Sequence, residues 1–200
     1  VKITSFWVHS VSVMFSCSCF QNLSSMWAVP FLRDVYGYSK DKASTITISL
    51  LVVMIVGSPF LGWVSYRTGM KKWLNFICQI SGLLIAIIFI VWTDSISIAL
   101  IVVLFFLYGV STTSTQSFTF PMYKEMVSPE CAGTVIGWGN MWIFLGTAIV
   151  QNITSAILNS MGSSPYSVKS YRLSLWTVSA IQLTVAAIAA ALTPVKRDIV

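Results

Sequence analysis

Long apolar stretches separated by short polar connections dominate this chain. A helix needs about 20 mostly apolar residues to cross roughly 30 Å of hydrocarbon. Six segments meet that requirement and are called the first to sixth spans: residues 6–29, 43–65, 73–92, 96–119, 130–158 and 173–193. The pattern predicts an all-α fold, a polytopic membrane helix bundle of six transmembrane helices that forms a single domain over residues 1–200.

The composition excludes a soluble domain. Hydrophobic residues make up 56% of the chain and charged residues 9%, whereas soluble domains are roughly one quarter charged. The net charge is +6, but its Lys and Arg residues are scattered through the connections and the chain ends. Because they form no basic stripe, we expect the lipid bilayer as partner and no nucleic acid.

Orientation follows from the distribution of Lys and Arg. With six spans both termini share one side, which carries seven Lys and Arg residues against five on the other side. Cytoplasmic loops carry the excess of positive charge, so we predict cytoplasmic termini. The chain begins with Val1 rather than Met and shows no cleavable signal pattern, and we therefore expect it to be part of something longer.

Two stretches suggest an internal repeat. Residues 27–35 and 118–126 both run aromatic, two residues, proline, two apolar residues, base and acid. Three spans separate them, so they exit on opposite membrane faces. The chain thus reads as two inverted three-helix repeats, an arrangement known in secondary transporters. Coincidence is the alternative, because proline and charge often mark the ends of spans.

Polar side chains within the spans have two interpretations. Small and hydroxyl residues can allow helices to pack closely, which we favour for Gly133, Gly137 and Gly146. Alternatively, polar residues can line a cavity and replace the water around a solute. Candidates for such a lining are Gln21, Asn22, Thr112, Gln116 and Asn140, whose side chains can donate and accept hydrogen bonds.

The residue types also limit the chemistry. The only histidine is His9, and no metal-binding cysteine or histidine motif, cofactor motif or catalytic set occurs, so we expect no enzyme, metal or cofactor. No Asp, Glu, Lys or Arg lies near the middle of a span, although ion pathways usually need such a group. Either the coupling group belongs to another part of the protein, or the solute moves by facilitated diffusion.

The connection between the second and third spans is a compact basic turn formed by residues 62–72. Gly62, Arg67, Gly69, Lys71 and Lys72 in this turn resemble the signature loop of the major facilitator superfamily, G-x-x-x-D-R-x-G-R-[KR]-[KR]. Tyr66 stands at the acidic position of that signature. Residues 27–37 and 124–134 also resemble parts of the C-terminal half of bacterial permeases in this superfamily.

The resemblance implies a C-terminal six-helix half of a transporter in the bacterial inner membrane. In that family two halves enclose a central cavity, and Arg67, Lys71 and Lys72 would hold a cytoplasmic gate. It implies alternating-access transport of a small polar organic solute, with a second half supplied by the same gene, a split gene or a homodimer. The alternative function is a non-transporting membrane subunit or a decayed half-transporter that packs against a partner.

Overall fold

The computed structural model describes residues 3–193, and within them the chain is helical with short connections and no strands. The α-helices are α1 Ile3–Asn22, α2 Ala28–Tyr36, α3 Lys40–Thr68, α4 Lys71–Trp92, α5 Ile98–Met126, α6 Ala132–Ser160, α7 Val168–Tyr171 and α8 Thr177–Leu192. Two π-helical turns, Leu23–Trp27 and Arg172–Trp176, connect α1 to α2 and α7 to α8. The first span is therefore α1, a π turn and α2, and the sixth is α7, a π turn and α8.

Five helices of the described part are long and apolar enough to cross a membrane, and they cover the second to sixth spans. The first span is not among them. Its helix α1 contains five serines together with His9, Gln21 and Asn22, which lower its hydropathy. The all-helical, multi-pass architecture is confirmed, whereas the count of six crossings stays a prediction.

The helices of the first and fourth spans extend beyond the span ends predicted at about residues 29 and 119. The helices continue past Pro30 to Tyr36 and past Pro121 to Met126. A proline removes only one backbone donor, and neighbouring helices can compensate for that loss within a membrane. The first of these helices instead ends at Gly37, whose φ of 65° is the left-handed conformation that glycine adopts at helix ends.

The first and fourth spans lie at the centre of the bundle. The first packs against the fifth, the sixth and the fourth, while the fourth packs against the second and the third. The third also packs along the sixth. Among the apolar windows of these helices, the second and fifth spans are the least covered, with 33% and 28% of their residues buried. Their uncovered faces are where further protein or lipid must contact this bundle.

An aromatic cluster fastens the end of the bundle opposite residues 66–72. The rings of Phe89 and Trp176 stack with centroids 4.1 Å apart, and Phe31 meets Trp176 edge-on at 5.4 Å. Beside this cluster, Asp34 accepts hydrogen bonds from the Tyr166 backbone and the Tyr171 hydroxyl. These contacts hold the first, third and sixth spans together at this end.

The glycines of the fifth span differ in their surroundings. A Cβ added at Gly146 would lie 2.7 Å from Met14 Cγ and 2.9 Å from the Met14 carbonyl oxygen. At Gly139 it would lie 2.9 Å from the Tyr123 ring. At Gly133 and Gly137 it would meet nothing within 4 Å. Close approach of the first span therefore depends on Gly146, and any packing role of Gly133 and Gly137 would involve something outside the described residues.

Substituting Gly146 by alanine should destabilise the bundle, because a backbone atom of Met14 blocks the added methyl group. Overpacking of this kind costs about 1–3 kcal/mol. Thermal unfolding of the detergent-solubilised chain measures the effect as a fall in melting temperature. The matched control is Gly137→Ala, which has open space and should leave the melting temperature unchanged or raise it. Equal melting temperatures for the two variants would contradict a tight contact at Gly146.

Candidate functional site

The five predicted cavity residues separate into two groups. Gln21 and Gln116 are half-buried and Asn140 is exposed. Asn22 and Thr112 are fully buried. Asn22 Nδ2 donates to Thr154 Oγ1 at 3.0 Å, and Thr112 Oγ1 donates to the Tyr108 carbonyl at 2.7 Å. In this conformation Asn22 and Thr112 make contacts between or within spans, and the Gln116 side chain hydrogen-bonds the buried Cys17 thiol of the first span. Asn140 is the one of the five that is exposed.

Accessible polar residues of the fifth span share one side. The buried residues of this span form a separate stripe: Val135, Gly139, Ile143, Gly146, Val150, Thr154 and Leu158. Asn140 is exposed and Thr147, Gln151 and Ser155 are half-buried. Residues at these spacings follow one face of a helix. The polar face therefore lies along one edge of the buried stripe, about a quarter turn away around the helix.

A pair of residues outside the predicted candidates extends this polar face to the first span. Gln151 Nε2 donates to Ser25 Oγ at 3.0 Å, and the Ser25 hydroxyl donates to the Gln21 carbonyl oxygen. Ser25 is exposed and lies in the π turn Leu23–Trp27. The polarity of Gln151 is a signal that the sequence offers, but the position of Ser25 depends on the π turn, which the sequence pattern does not indicate.

A buried hydrogen-bond network fixes the crossing of the first, third and fourth spans. Thr115 Oγ1 is its centre: it lies 2.7 Å from Ser16 Oγ, accepts from Gln79 Nε2 at 2.5 Å and donates to Asn75 Oδ1 at 3.1 Å. Ser16 also contacts the Thr112 carbonyl oxygen at 3.1 Å. Paired polar groups in such an interior stabilise one helix arrangement, since hydrocarbon provides no other partner.

The basic loop is defined as residues 62–73, the turn between the second and third spans with its flanking residues. Gly69 has a φ of 64° and its N–H bonds to the Ser65 carbonyl oxygen at 3.0 Å, so it caps the helix of the second span. Lys71 forms an ion pair with Glu125 at the end of the fourth span. A Cβ at Gly62 would meet nothing within 4 Å.

The other two cations of the loop lie over tryptophan rings. The Arg67 guanidinium carbon is 5.7 Å from the Trp63 ring centroid, and Lys72 Nζ is 5.7 Å from the Trp73 ring centroid. Of these three cations, only Lys71 forms an ion pair with a neighbouring helix end within the described residues. The gating role of Arg67, Lys71 and Lys72 stays a prediction.

His9 is buried, and its ring meets the Tyr123 ring edge-on with centroids 4.8 Å apart. Tyr123 OH lies 2.7 Å from Ser10 Oγ, which also accepts from Trp138 Nε1 at 3.0 Å. These contacts link the first, fourth and fifth spans. Within the described residues no cluster of three or more His, Cys, Asp or Glu side chains could hold a metal ion.

Comparison with known proteins agrees with this architecture. A sequence model of the Major Facilitator Superfamily matches residues 2–151. The lysosomal dipeptide transporters MFSD1 of Homo sapiens and of Pongo abelii are each 27% identical to the chain over 135 residues, which cover 66% of the chain. The chain spans 27% of the length of these curated relatives. A match over most of the chain, on a multi-pass helical bundle, shows that this protein belongs to the major facilitator superfamily.

Proposed function

We propose that this chain is the C-terminal half of a secondary transporter that moves a small polar organic solute by alternating access. The observation that carries the proposal is the polar face of the fifth span, which lies beside its buried stripe and includes the exposed Asn140. Asn140 is exposed on that face, and Gln21 and Gln116 of neighbouring spans are half-buried. Amides in such positions can donate and accept hydrogen bonds and so replace the hydration of a polar solute.

The packing pattern supports two inverted three-helix repeats. A pseudo-twofold axis would exchange the first span with the fourth, the second with the fifth and the third with the sixth. Under this exchange the packing of the first span against the fifth corresponds to that of the fourth against the second. The packing of the first span against the sixth corresponds to that of the fourth against the third. The first-to-fourth and third-to-sixth contacts are unchanged. A pseudo-twofold relation of this kind is the expected result of an inverted repeat of six spans.

A second six-helix half completes the proposed cavity. The second and fifth spans have the largest uncovered faces in this bundle, and a cavity with one wall cannot enclose a solute. The second half would come from the same gene, a split gene or a second copy of the chain. In all three cases Gln21, Asn22, Thr112, Gln116 and Asn140 form the contribution of this chain, the two buried residues becoming accessible only when the spans move.

The solute class to test first follows from the relatives. The two matching proteins are described as lysosomal dipeptide transporters, and a dipeptide presents several donors and acceptors to amide side chains. We expect the charged ends of such a solute to find their partners in the other half. This half carries its Asp, Glu, Lys and Arg residues outside the middle of the spans.

Transport itself is tested with the gene product that carries this chain, reconstituted into liposomes and supplied with radiolabelled dipeptides and amino acids. Saturable uptake is expected. Gln116→Ala and Asn140→Ala should each raise KM about fivefold, the effect of losing one hydrogen bond of about 1 kcal/mol.

The matched control for these variants is Asn152→Ala, which removes an exposed amide from another face of the fifth span, where Nδ2 bonds the Ala148 carbonyl oxygen. Its KM should equal that of the unmodified protein. Absence of saturable uptake by a folded protein contradicts the transport proposal. Equal KM changes in all three variants would contradict the assignment of the polar face to the cavity.

The orientation can be read from one cysteine. Cys131 is exposed at the start of the fifth span, at the same end of the bundle as the basic loop, and Cys17, Cys19 and Cys78 are buried. With cytoplasmic termini, a membrane-impermeant maleimide should label Cys131 in inside-out vesicles and leave right-side-out vesicles unlabelled. Cys131→Ser should abolish labelling. Labelling from the outside would reverse the proposed topology.

A further inference from the structure

The basic loop carries two cations that this bundle leaves without an acidic partner. Of its three cations, Lys71 is paired with Glu125. Arg67 and Lys72 form no ion pair within the described residues, and each lies 5.7 Å from a tryptophan ring centroid instead. The other described acid at this end, Glu130, is exposed and likewise forms no ion pair there. The loop thus presents net positive charge at the end of two membrane-crossing helices.

Three exposed aromatic side chains and one exposed methionine belong to the same loop as these cations. Trp63 is 57% exposed, Tyr66 85%, Met70 50% and Trp73 52%. Phe60 stacks on Trp63 at a centroid distance of 6.2 Å, and together with Arg67 they follow one face of the second span. Tryptophan and tyrosine concentrate at the boundary between hydrocarbon and headgroups. The combination of aromatic rings and cations in this loop is typical of a segment at the depth of the lipid headgroups.

The sequence suggests why Arg67 lacks an acidic neighbour. The signature that this loop resembles has an acid directly before the arginine, and this chain has Tyr66 there. An acid at position 66 would place a negative charge next to Arg67. Tyr66 instead adds an exposed aromatic ring and leaves the positive charge of Arg67 uncompensated.

We propose that the basic loop is a binding site for an anionic phospholipid headgroup, with Arg67 and Lys72 contacting the phosphate and Trp63 and Trp73 flanking the glycerol region. Charge complementarity selects this occupant, because anionic lipids of the inner leaflet attract basic segments next to the membrane. Lys71 is outside the site since Glu125 neutralises it.

The test is native mass spectrometry of the full chain in a neutral detergent, with phosphatidylglycerol or phosphatidylcholine added. The unmodified chain should retain phosphatidylglycerol in preference to phosphatidylcholine. The double variant Arg67→Gln, Lys72→Gln should bind phosphatidylglycerol at least tenfold more weakly, given about 1 kcal/mol for each basic residue near an anionic surface. Equal retention of the two lipids by the unmodified chain would overturn the proposal.

The control pair lies at the opposite end of the bundle, where Lys42 Nζ is 4.2 Å from the Tyr38 ring centroid. Lys42→Gln removes a cation from an aromatic ring in a similar way and should leave phosphatidylglycerol binding unchanged. A loss as large as that of the double variant would show that net charge, and not this site, governs binding. Displacement of the lipid by millimolar inorganic phosphate would show a phosphate site without a lipid requirement and would also overturn the proposal.

A second pair of variants tests the role of position 66 without removing a cation. Tyr66→Asp restores the acid of the signature next to Arg67 and should weaken phosphatidylglycerol binding several-fold. Tyr66→Phe keeps the aromatic ring and should bind like the unmodified chain. This 85%-exposed position tolerates polar residues without a packing cost, so both variants should fold. Unchanged binding by Tyr66→Asp would contradict an electrostatic site at Arg67.

Discussion

Hydrogen bonding inside the bundle is the constraint on which the arrangement of the spans depends. Hydrocarbon offers no donor or acceptor, so a buried polar side chain must find its partner within the protein. Thr115 of the fourth span meets this requirement through Ser16 of the first span and through Gln79 and Asn75 of the third. The Thr115 hydroxyl group thus fixes how the helix of the fourth span is rotated about its own axis.

That rotation determines which amides are accessible. Successive residues of a helix are rotated by about 100°, so a residue beside a tightly packed one is turned toward a different environment. Gln116 follows Thr115, Asn140 follows Gly139, and Gln21 precedes Asn22. In each pair one member is buried in an interhelical contact and its neighbour reaches the surface. The candidate cavity wall is therefore a geometric consequence of the contacts that hold the bundle together.

Hydropathy placed the second to sixth spans on helices that are long and apolar enough to cross a membrane, because membrane thickness sets the length of an apolar segment. The ends of the helices were less predictable. Pro30 and Pro121 suggest helix termini, yet the helices continue for six and five residues beyond them. The helix of the second span begins after Ser39, whose side chain accepts a hydrogen bond from the Lys42 N–H at 3.3 Å. Termination depends on the tertiary contacts that compensate for a lost backbone bond, which a local pattern does not contain.

The assignment of individual polar residues was the least predictable part. The sequence cannot separate Gln116 from Thr112, since both are polar and lie on the same span, and only the neighbouring helices decide which is covered. The same holds for the glycines of the fifth span. A Cβ at Gly139 or Gly146 would meet a neighbouring span within 3 Å, whereas Gly133 and Gly137 have open space within the described residues.

The two π turns have a consequence for how this protein relates to others in its family. In each, a backbone N–H bonds to the carbonyl five residues earlier, from Ala28 to Leu23 and from Thr177 to Arg172. Such a turn accommodates one residue more than an α-helical turn and re-aims every side chain beyond it. A relative that lacks the extra residue could form a regular α-helical turn there. The helices before and after the turn would then still present the same side chains to their neighbours. In a sequence alignment with other family members, a single-residue gap within a span usually indicates misalignment. At residues 23–27 and 172–176 such a gap is compatible with conserved helix packing.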